Sequence, residues 1–388
     1  MCKCPRCVDP HSKQRSFRTQ DIPGNINASS TKFDGKTLEI SWKSDVPGYG
    51  EDHVSRWDID FFKEKVVKPR NKASSDMRAL IWKKSWMEEN QHWISYEDYI
   101  NNEEKFAGAM QNLNRTGLIF VKDIPQSREM VEKIATRMGP LRNSFYGSTW
   151  DVRTVPQAKN VAYTNQFLGF HMDLLYMNEP PGYQLLHCLE NSCEGGESLF
   201  VDTFKAAYEL RQRSKKKYDI LTQRNLAYEY RHENSLYYNE WPVIETSRFS
   251  KGLIDRVNYS PPFQSALPSS ASAGKSVPWK EHKAFADALK TFSNLLERQK
   301  AIFELKLNPG ECVIFANRRV AHARRQFNTS SGSRWLAGAY VDEDAVLSRI
   351  AVAQRKYPAA VAAANPTAAS KPREKSPPSK ETEKPESE

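Results

Sequence analysis

His171-Met172-Asp173 sets an imidazole and a carboxylate two residues apart, and in extended backbone residues i and i+2 face the same side. Joined by one more histidine from elsewhere, this pair would hold a divalent metal through three protein ligands and leave its other positions open, the arrangement of non-haem Fe(II) oxygen chemistry. His322 suits the third place. It follows a strand-like run at 312–316, and Arg334 lies twelve residues beyond it where another strand-like run starts. A guanidinium there would grip one carboxylate of a dicarboxylic acid in bidentate fashion while the acid's other end reaches the metal. On spacing alone His187, Asp202 and His232 stay in contention as ligands, and a histidine in an apolar strand is ordinarily hydrogen-bonded core.

A second set of donors opens the chain. Cys2, Cys4 and Cys7 form C-x-C-x2-C, three soft thiolates close enough to share one Zn²⁺, which asks for a fourth ligand to complete a tetrahedron. His11 is near but would require a tight reversal, whereas His53 lies beyond the first strand-like run. Three thiolates and an imidazole close the coordination sphere, so such a zinc would be structural. Clustered cysteines beside the scattered Cys188, Cys193 and Cys312 argue for metal and a reducing compartment over a disulfide framework.

The elements that must position these groups are legible in outline. A chain of 388 residues, 39% hydrophobic and 27% charged, can bury a sizeable core. No run approaches the roughly 18 apolar residues of a membrane span, and no apolar segment follows a basic start, which gives the expectation of a cytoplasmic protein with no membrane partner. The formal charge of +10 is dispersed, without a basic stripe interleaved with aromatics, so nucleic acid is not expected as a partner. Leu38, Ile40 and Trp42 alternate with polar residues and predict a strand in a small β-rich N-terminal domain over 1–65. A basic connector is expected over 66–94. Ser95 to Asp98 reads as a capping box opening a helix with Phe106, Met110 and Leu113 on its apolar face, followed by a strand at 117–121 and a helix at 128–138. Short strands then recur at 182–189, 198–202, 312–316 and 335–341, interrupted by helices at 204–218 and 279–299. Many short strands braced by a few helices predict a mainly β fold, a jelly-roll catalytic domain over 95–358. A Ser/Ala/Gly-rich loop is expected at 266–276, and 359–388, rich in Ala, Pro, Lys, Glu and Ser, is expected to be disordered.

Several segments together resemble the Fe(II)/2-oxoglutarate dioxygenases, and among them the γ-butyrobetaine and trimethyllysine dioxygenase group. They are Cys2-Lys3-Cys4-Pro5-Arg6-Cys7, Phe145-Tyr146-Gly147-Ser148-Thr149-Trp150, Asn160-Val161-Ala162-Tyr163-Thr164, His171-Met172-Asp173, Gly182-Tyr183-Gln184-Leu185-Leu186-His187-Cys188, Gly195-Gly196, Val201-Asp202, His322-Ala323-Arg324-Arg325 and Gly338-Ala339-Tyr340. The Phe-Tyr-Gly-x-Thr-Trp segment is closer to the γ-butyrobetaine enzymes. The resemblance implies a double-stranded β-helix with His171, Asp173 and His322 on iron, Arg334 on the distal carboxylate of 2-oxoglutarate with Ser198 beside it, and zinc on Cys2, Cys4, Cys7 and His53. It also implies a cage of Tyr146, Trp150, Tyr163 and Tyr340 around a trimethylammonium group, with Asn160 and, less directly, Asn258 on the substrate carboxylate. Without the resemblance those aromatics read equally well as core. Ascorbate as reductant, a homodimer and the hydroxylation of γ-butyrobetaine to carnitine follow from the same resemblance. Trimethyllysine or another betaine is the alternative substrate, and a non-enzymatic zinc-containing binding protein the alternative class. Two departures stand out: relatives carry a segment ahead of the cysteine cluster, so an earlier natural start and a mitochondrial address are a second expectation, and Leu174 follows the metal-binding Asp where γ-butyrobetaine enzymes can carry an aromatic.

Overall fold

The computed structural model describes residues 2, 4–50, 52–60, 62, 79–153, 164–247, 252–265 and 278–364. The chain divides into two compact units, Met1–Ser75 and Asp76–Glu388. In the first, Ala28–Phe33, Thr37–Trp42 and Val54–Asp58 form a three-stranded antiparallel sheet. Its first hairpin is set by Asp34, whose Oδ1 accepts from the backbone of Lys36 and Thr37 at 2.8 and 2.6 Å, with Gly35 at φ 92°. All residues of the middle strand are only half-buried. So thin a core leaves this unit in need of another tie, such as a bound metal.

The second unit is built on two antiparallel sheets. The larger has six strands in the order Trp93–Ser95, Leu118–Lys122, Cys312–Ala316, Tyr183–Asn191, Arg334–Val341 and Thr149–Val152, with one parallel pair at its Trp93 edge. The smaller has four, in the order Phe303–Leu305, Ser198–Asp202, Val320–Arg324 and Leu168–His171. Phe120, Leu186, Val313, Phe315 and Leu336 of the larger sheet pack in one cluster with Phe200, Phe303 and Val320 of the smaller. Each such side chain contributes about 1.5–3 kcal/mol of hydrophobic stabilisation. Alternate residues of the larger sheet, Ile119, Leu185, Ile314 and Ala337 among them, turn to a second cluster with Phe106, Met110, Ile134 and Ile350 of the helices Glu103–Thr116, Met130–Met138 and Glu343–Lys356. Leu199, Val201, Ala321 and Ala323 of the smaller sheet pack with Leu210 of Thr203–Arg213 and Phe292 of Trp279–Leu296. Both sheets are therefore covered on their outer faces, and the space between them is left for a site. Among the described residues no helix is long and apolar enough to cross a membrane.

Several elements differ from the sequence-based expectation. The stretch expected as a connector is folded into the second unit from residue 79: Trp82 is 1% exposed, its Nε1 donates to Thr116 O at 2.8 Å, and its N–H donates to Asp202 Oδ2. Two expected helices are each broken in two by a polar cap: Asn102 accepts from Lys105 N and starts Glu103–Thr116 after Tyr96–Asn101, while Ser214 accepts from Lys217 N between Thr203–Arg213 and Lys215–Gln223. The expected disordered tail begins with a short helix, Pro358–Ala363, seating Val361 against Ala107 and Ala353. The rest of that tail from 365, and the expected loop at 266–276, lie outside the described residues.

Candidate active site

His171 and His322 are paired across adjacent strands of the four-stranded sheet, so backbone register alone brings their rings to 4.1 Å. His171 Nδ1 donates to Gly169 O at 2.8 Å, which leaves Nε2 as the nitrogen with a lone pair. Asp173 follows where the strand ends. Its Oδ1 lies 3.4 Å from His171 Nε2 and 4.0 Å from His322 Nε2, and the three donors all fall within 4.8 Å of one another. Burial, then the neighbouring His171 charge, pushes His322 down to about 3, so it is neutral near pH 7, the form that binds metal. Burial works against ionisation of Asp173, but its contacts with His171, His322 and the Tyr340 hydroxyl outweigh it and bring the carboxyl down to about 2. Two imidazoles and a carboxylate converging on one point fit a divalent metal held from one side.

The other ligand candidates lie outside this cluster. Asp202 pairs with Arg319 at 3.0 Å and caps Thr203–Arg213 through Phe204 N; the pair is buried, so breaking it would cost about 3–5 kcal/mol. His187 is fully buried outside the site wall, and burial pushes it down to about 4. His232 ends the hairpin strand Asn225–His232 beside Tyr230.

From the three donors a pocket of about 810 Å³, partly open to solvent, runs between the two sheets. Ser198, Arg324 and Arg334 line one end, with Ser198 and Arg324 paired in register. Arg334 is 8% exposed, and among the described residues its guanidinium has no hydrogen bond or ion pair, only the Phe327 ring 5.5 Å away. Burial brings it down to about 10. Gly196, at φ 76°, lets this side chain pass: a Cβ there would lie 3.2 Å from Arg334 Cδ and Nε. That is the structural content of the Gly-Gly turn.

Tyr146, Trp150 and Tyr340 line the same pocket. Trp150 lies directly over Gly338, where any Cβ would come within 2.4 Å of its ring, and stacks on Tyr340 with centroids 3.9 Å apart. Tyr340 is not simply a ring, because its hydroxyl donates to Asp173 Oδ2 at 2.6 Å. Asn258 does not reach the pocket; fully buried, its amide donates to Pro242 O and Glu245 Oε1 at 2.7 and 2.8 Å. Asn160 and Tyr163 lie outside the described residues. Sequence reasoning missed Tyr176 and Phe263, two further aromatics of the wall at 5.4 Å from each other, and Gln184, whose buried Oε1 lacks a partner among the described residues. Gln184 was findable, since it shares the i, i+2 face of Leu186. Asn317 was also missed. It bonds both backbone polar groups of Asp173, next to Leu174 at φ 59°, a left-handed conformation that costs a non-glycine residue about 1–2 kcal/mol.

In the N-terminal unit, Cys2, Cys4, Cys7 and His53 bring their ligand atoms within 4.8 Å of one another. The Cys4 and Cys7 sulfurs each lie 3.4 Å from His53 Nε2, while His53 Nδ1 meets Asp45 Oδ2 at 2.5 Å, which orients the imidazole. Burial opposes ionisation of Cys2, but hydrogen bonds from the Cys4 backbone, Ser55 and His53 prevail and bring its thiol down to about 6. His11 takes no part in this cluster.

Residues 87–340 match the family model described as "Taurine catabolism dioxygenase TauD, TfdA family". The chain is 34% identical over 365 residues to Dioxygenase str8 of Strobilurus tenacellus, covering 90% of this chain and 82% of that one. It is 28% identical over 368 residues to human gamma-butyrobetaine dioxygenase, covering 92% and 89%. To the mitochondrial trimethyllysine dioxygenase of Rattus norvegicus it is 27% identical over 351 residues, covering 89% and 79%. A match over most of the chain, carrying both histidines and Asp173 within it, makes this protein a dioxygenase of the TauD, TfdA family.

Proposed function

We propose that this dioxygenase is an Fe(II)- and 2-oxoglutarate-dependent hydroxylase of a trimethylammonium acid, with γ-butyrobetaine, and hence carnitine formation, as the first candidate and trimethyllysine or another betaine as the alternative. The observation that carries the reading is the division of the pocket. One end holds buried guanidinium, and Tyr146, Trp150, Tyr176, Phe263 and Tyr340 give the pocket an aromatic wall, with Asp173 as the sole acid among the described lining residues. A quaternary ammonium donates no hydrogen bond and is attracted by ring faces, whereas a primary amine would call for acceptors.

When bound by His171, Asp173 and His322, Fe(II) supplies oxygen activation coupled to the decarboxylation of 2-oxoglutarate to succinate. The chain's own contribution is positioning and exclusion of water. Arg334 and Ser198 would hold the distal carboxylate, and Leu168, Leu186, Phe200 and Leu336 add apolar surface to the pocket wall. The two sheets facing across this space support the double-stranded β-helix reading of the fold. The test is substrate-dependent succinate formation with Fe(II), 2-oxoglutarate and ascorbate against γ-butyrobetaine, trimethyllysine and taurine. Turnover with taurine and none with either trimethylammonium acid would overturn the substrate class.

Trp150→Leu tests the aromatic wall. A desolvated cation–π contact is worth about 2 kcal/mol, or roughly thirtyfold in affinity, so the variant should bind the betaine about thirtyfold more weakly with 2-oxoglutarate affinity unchanged. Trp150→Phe, which keeps a ring, should lose less. Equal binding of γ-butyrobetaine and its neutral tert-butyl analogue by the wild type would reduce these rings to ordinary core.

We propose further that Cys2, Cys4, Cys7 and His53 hold a structural zinc. Binding free energy at such a site is folding free energy. Cys4→Ser is therefore expected to purify without its zinc and to expose the first unit to proteolysis. Undiminished zinc in that variant, by elemental analysis, would reject the site.

A further inference from the structure

The carboxylate and the peptide of Asp173 are held by two residues that do not themselves belong to the donor set. Its Oδ2 accepts from the Tyr340 hydroxyl at 2.6 Å, which leaves Oδ1 as the oxygen facing His171 Nε2 and His322 Nε2, at 3.4 and 4.0 Å. Its backbone is clamped from another side. Asn317 Oδ1 accepts from the Asp173 N–H at 2.8 Å, and Asn317 Nδ2 donates to Asp173 O and to Pro181 O, each at 3.0 Å. Asn317 sits in the turn joining Cys312–Ala316 of the larger sheet to Val320–Arg324 of the smaller, so the clamp ties the Asp173 loop to the strand that carries His322. Both holding residues are buried, Tyr340 at 3% exposure and Asn317 at 0%. Away from water such hydrogen bonds are stronger and harder to replace.

A carboxylate free to rotate could offer a metal either oxygen or both. We propose that Tyr340 and Asn317 are positioning residues: Tyr340 engages one oxygen of Asp173 so that the other alone turns to the metal, and Asn317 fixes the backbone from which the carboxylate projects, next to the left-handed Leu174. The inference rests on His171, Asp173 and His322 being metal ligands. It also gives Tyr340 a task distinct from the cage: its ring stacks on Trp150 while its polar end serves the metal.

Tyr340→Phe keeps the ring and its stack and removes only the hydroxyl. Metal-free full-length protein would be titrated with Co(II) alone, followed by calorimetry and visible absorption; the signal lost in His171→Ala is that of this site, apart from any Co(II) on the cysteines. Loss of an outer-shell partner typically costs 10–100-fold in metal affinity, so Tyr340→Phe should bind Co(II) roughly 10- to 100-fold more weakly, with a shifted visible band. Asn317→Ala should also weaken Co(II); if it does not fold by circular dichroism, Tyr340→Phe alone decides. In turnover, kcat should fall in Tyr340→Phe while KM for the betaine holds. Unchanged Co(II) affinity and spectrum in Tyr340→Phe would overturn the inference. A wild type whose Co(II) signal is the same as that of His171→Ala would instead overturn the metal reading on which it rests.

Discussion

His171→Ala is expected to abolish succinate formation, with or without substrate, while the protein keeps its secondary structure. The two halves of this expectation have separate causes. The fold should survive because the strand Leu168–His171 is held by backbone pairing with Val320–Arg324. The site should not, because only His322 and Asp173 would remain of the three described donors. His232→Ala removes a rival ligand from a hairpin end and should leave turnover unchanged. Near-normal turnover of His171→Ala with Fe(II) supplied would show that the metal sits elsewhere. Retained turnover paired with loss in His187→Ala would name where.

How far this site could be read from the sequence depended on which residues carried a period. Ser198–Asp202 and Cys312–Ala316 stand out as apolar runs between turn signals, and the structure has them as strands with those bounds. The strand that holds His322 did not stand out. Val320-Ala321-His322-Ala323-Arg324 is buried at every position, so it lacks the alternation that marks a half-exposed strand, and its alanines give little apolar signal. The adjoining Arg318 and Arg319 look like solvated loop charges but are 7% and 5% exposed, neutralised by Glu245 and Asp202. The same ion pair explains the misplaced connector. Arg319 donates to Leu80 O and Arg115 O, and the Trp82 N–H donates to Asp202 Oδ2, so a stretch basic in composition is bound by contacts with partners far along the chain. Asn317 left no trace at all, because a single polar residue between two strands looks like any turn. Spacing proposed the metal donors, but only tertiary contact reveals what aims them.

Arg334→Met is expected to move two observables in opposite directions. Arg334 is a buried cation with no hydrogen bond or ion pair among the described residues; burial lowers its tendency to stay protonated, and its charge in turn lowers that of Arg324 beside it. Such a group is costly to bury, and an apolar side chain of similar reach removes that cost, so the thermal midpoint of the unliganded variant should rise. Binding of 2-oxoglutarate should fall. Losing one partner of a buried, hydrogen-bonded charge pair costs about 2–5 kcal/mol, which is roughly thirtyfold to several thousandfold in the co-substrate requirement. Arg334→Lys keeps the charge but not the planar fork, and should lie between wild type and Arg334→Met in 2-oxoglutarate affinity. The betaine requirement should shift less than the co-substrate requirement in both variants. A lower midpoint in Arg334→Met would mean that the guanidinium is already partnered and serves the fold. A larger rise in the betaine KM than in that for 2-oxoglutarate would assign Arg334 to the primary substrate, and the pocket would have to be read with its two ends exchanged.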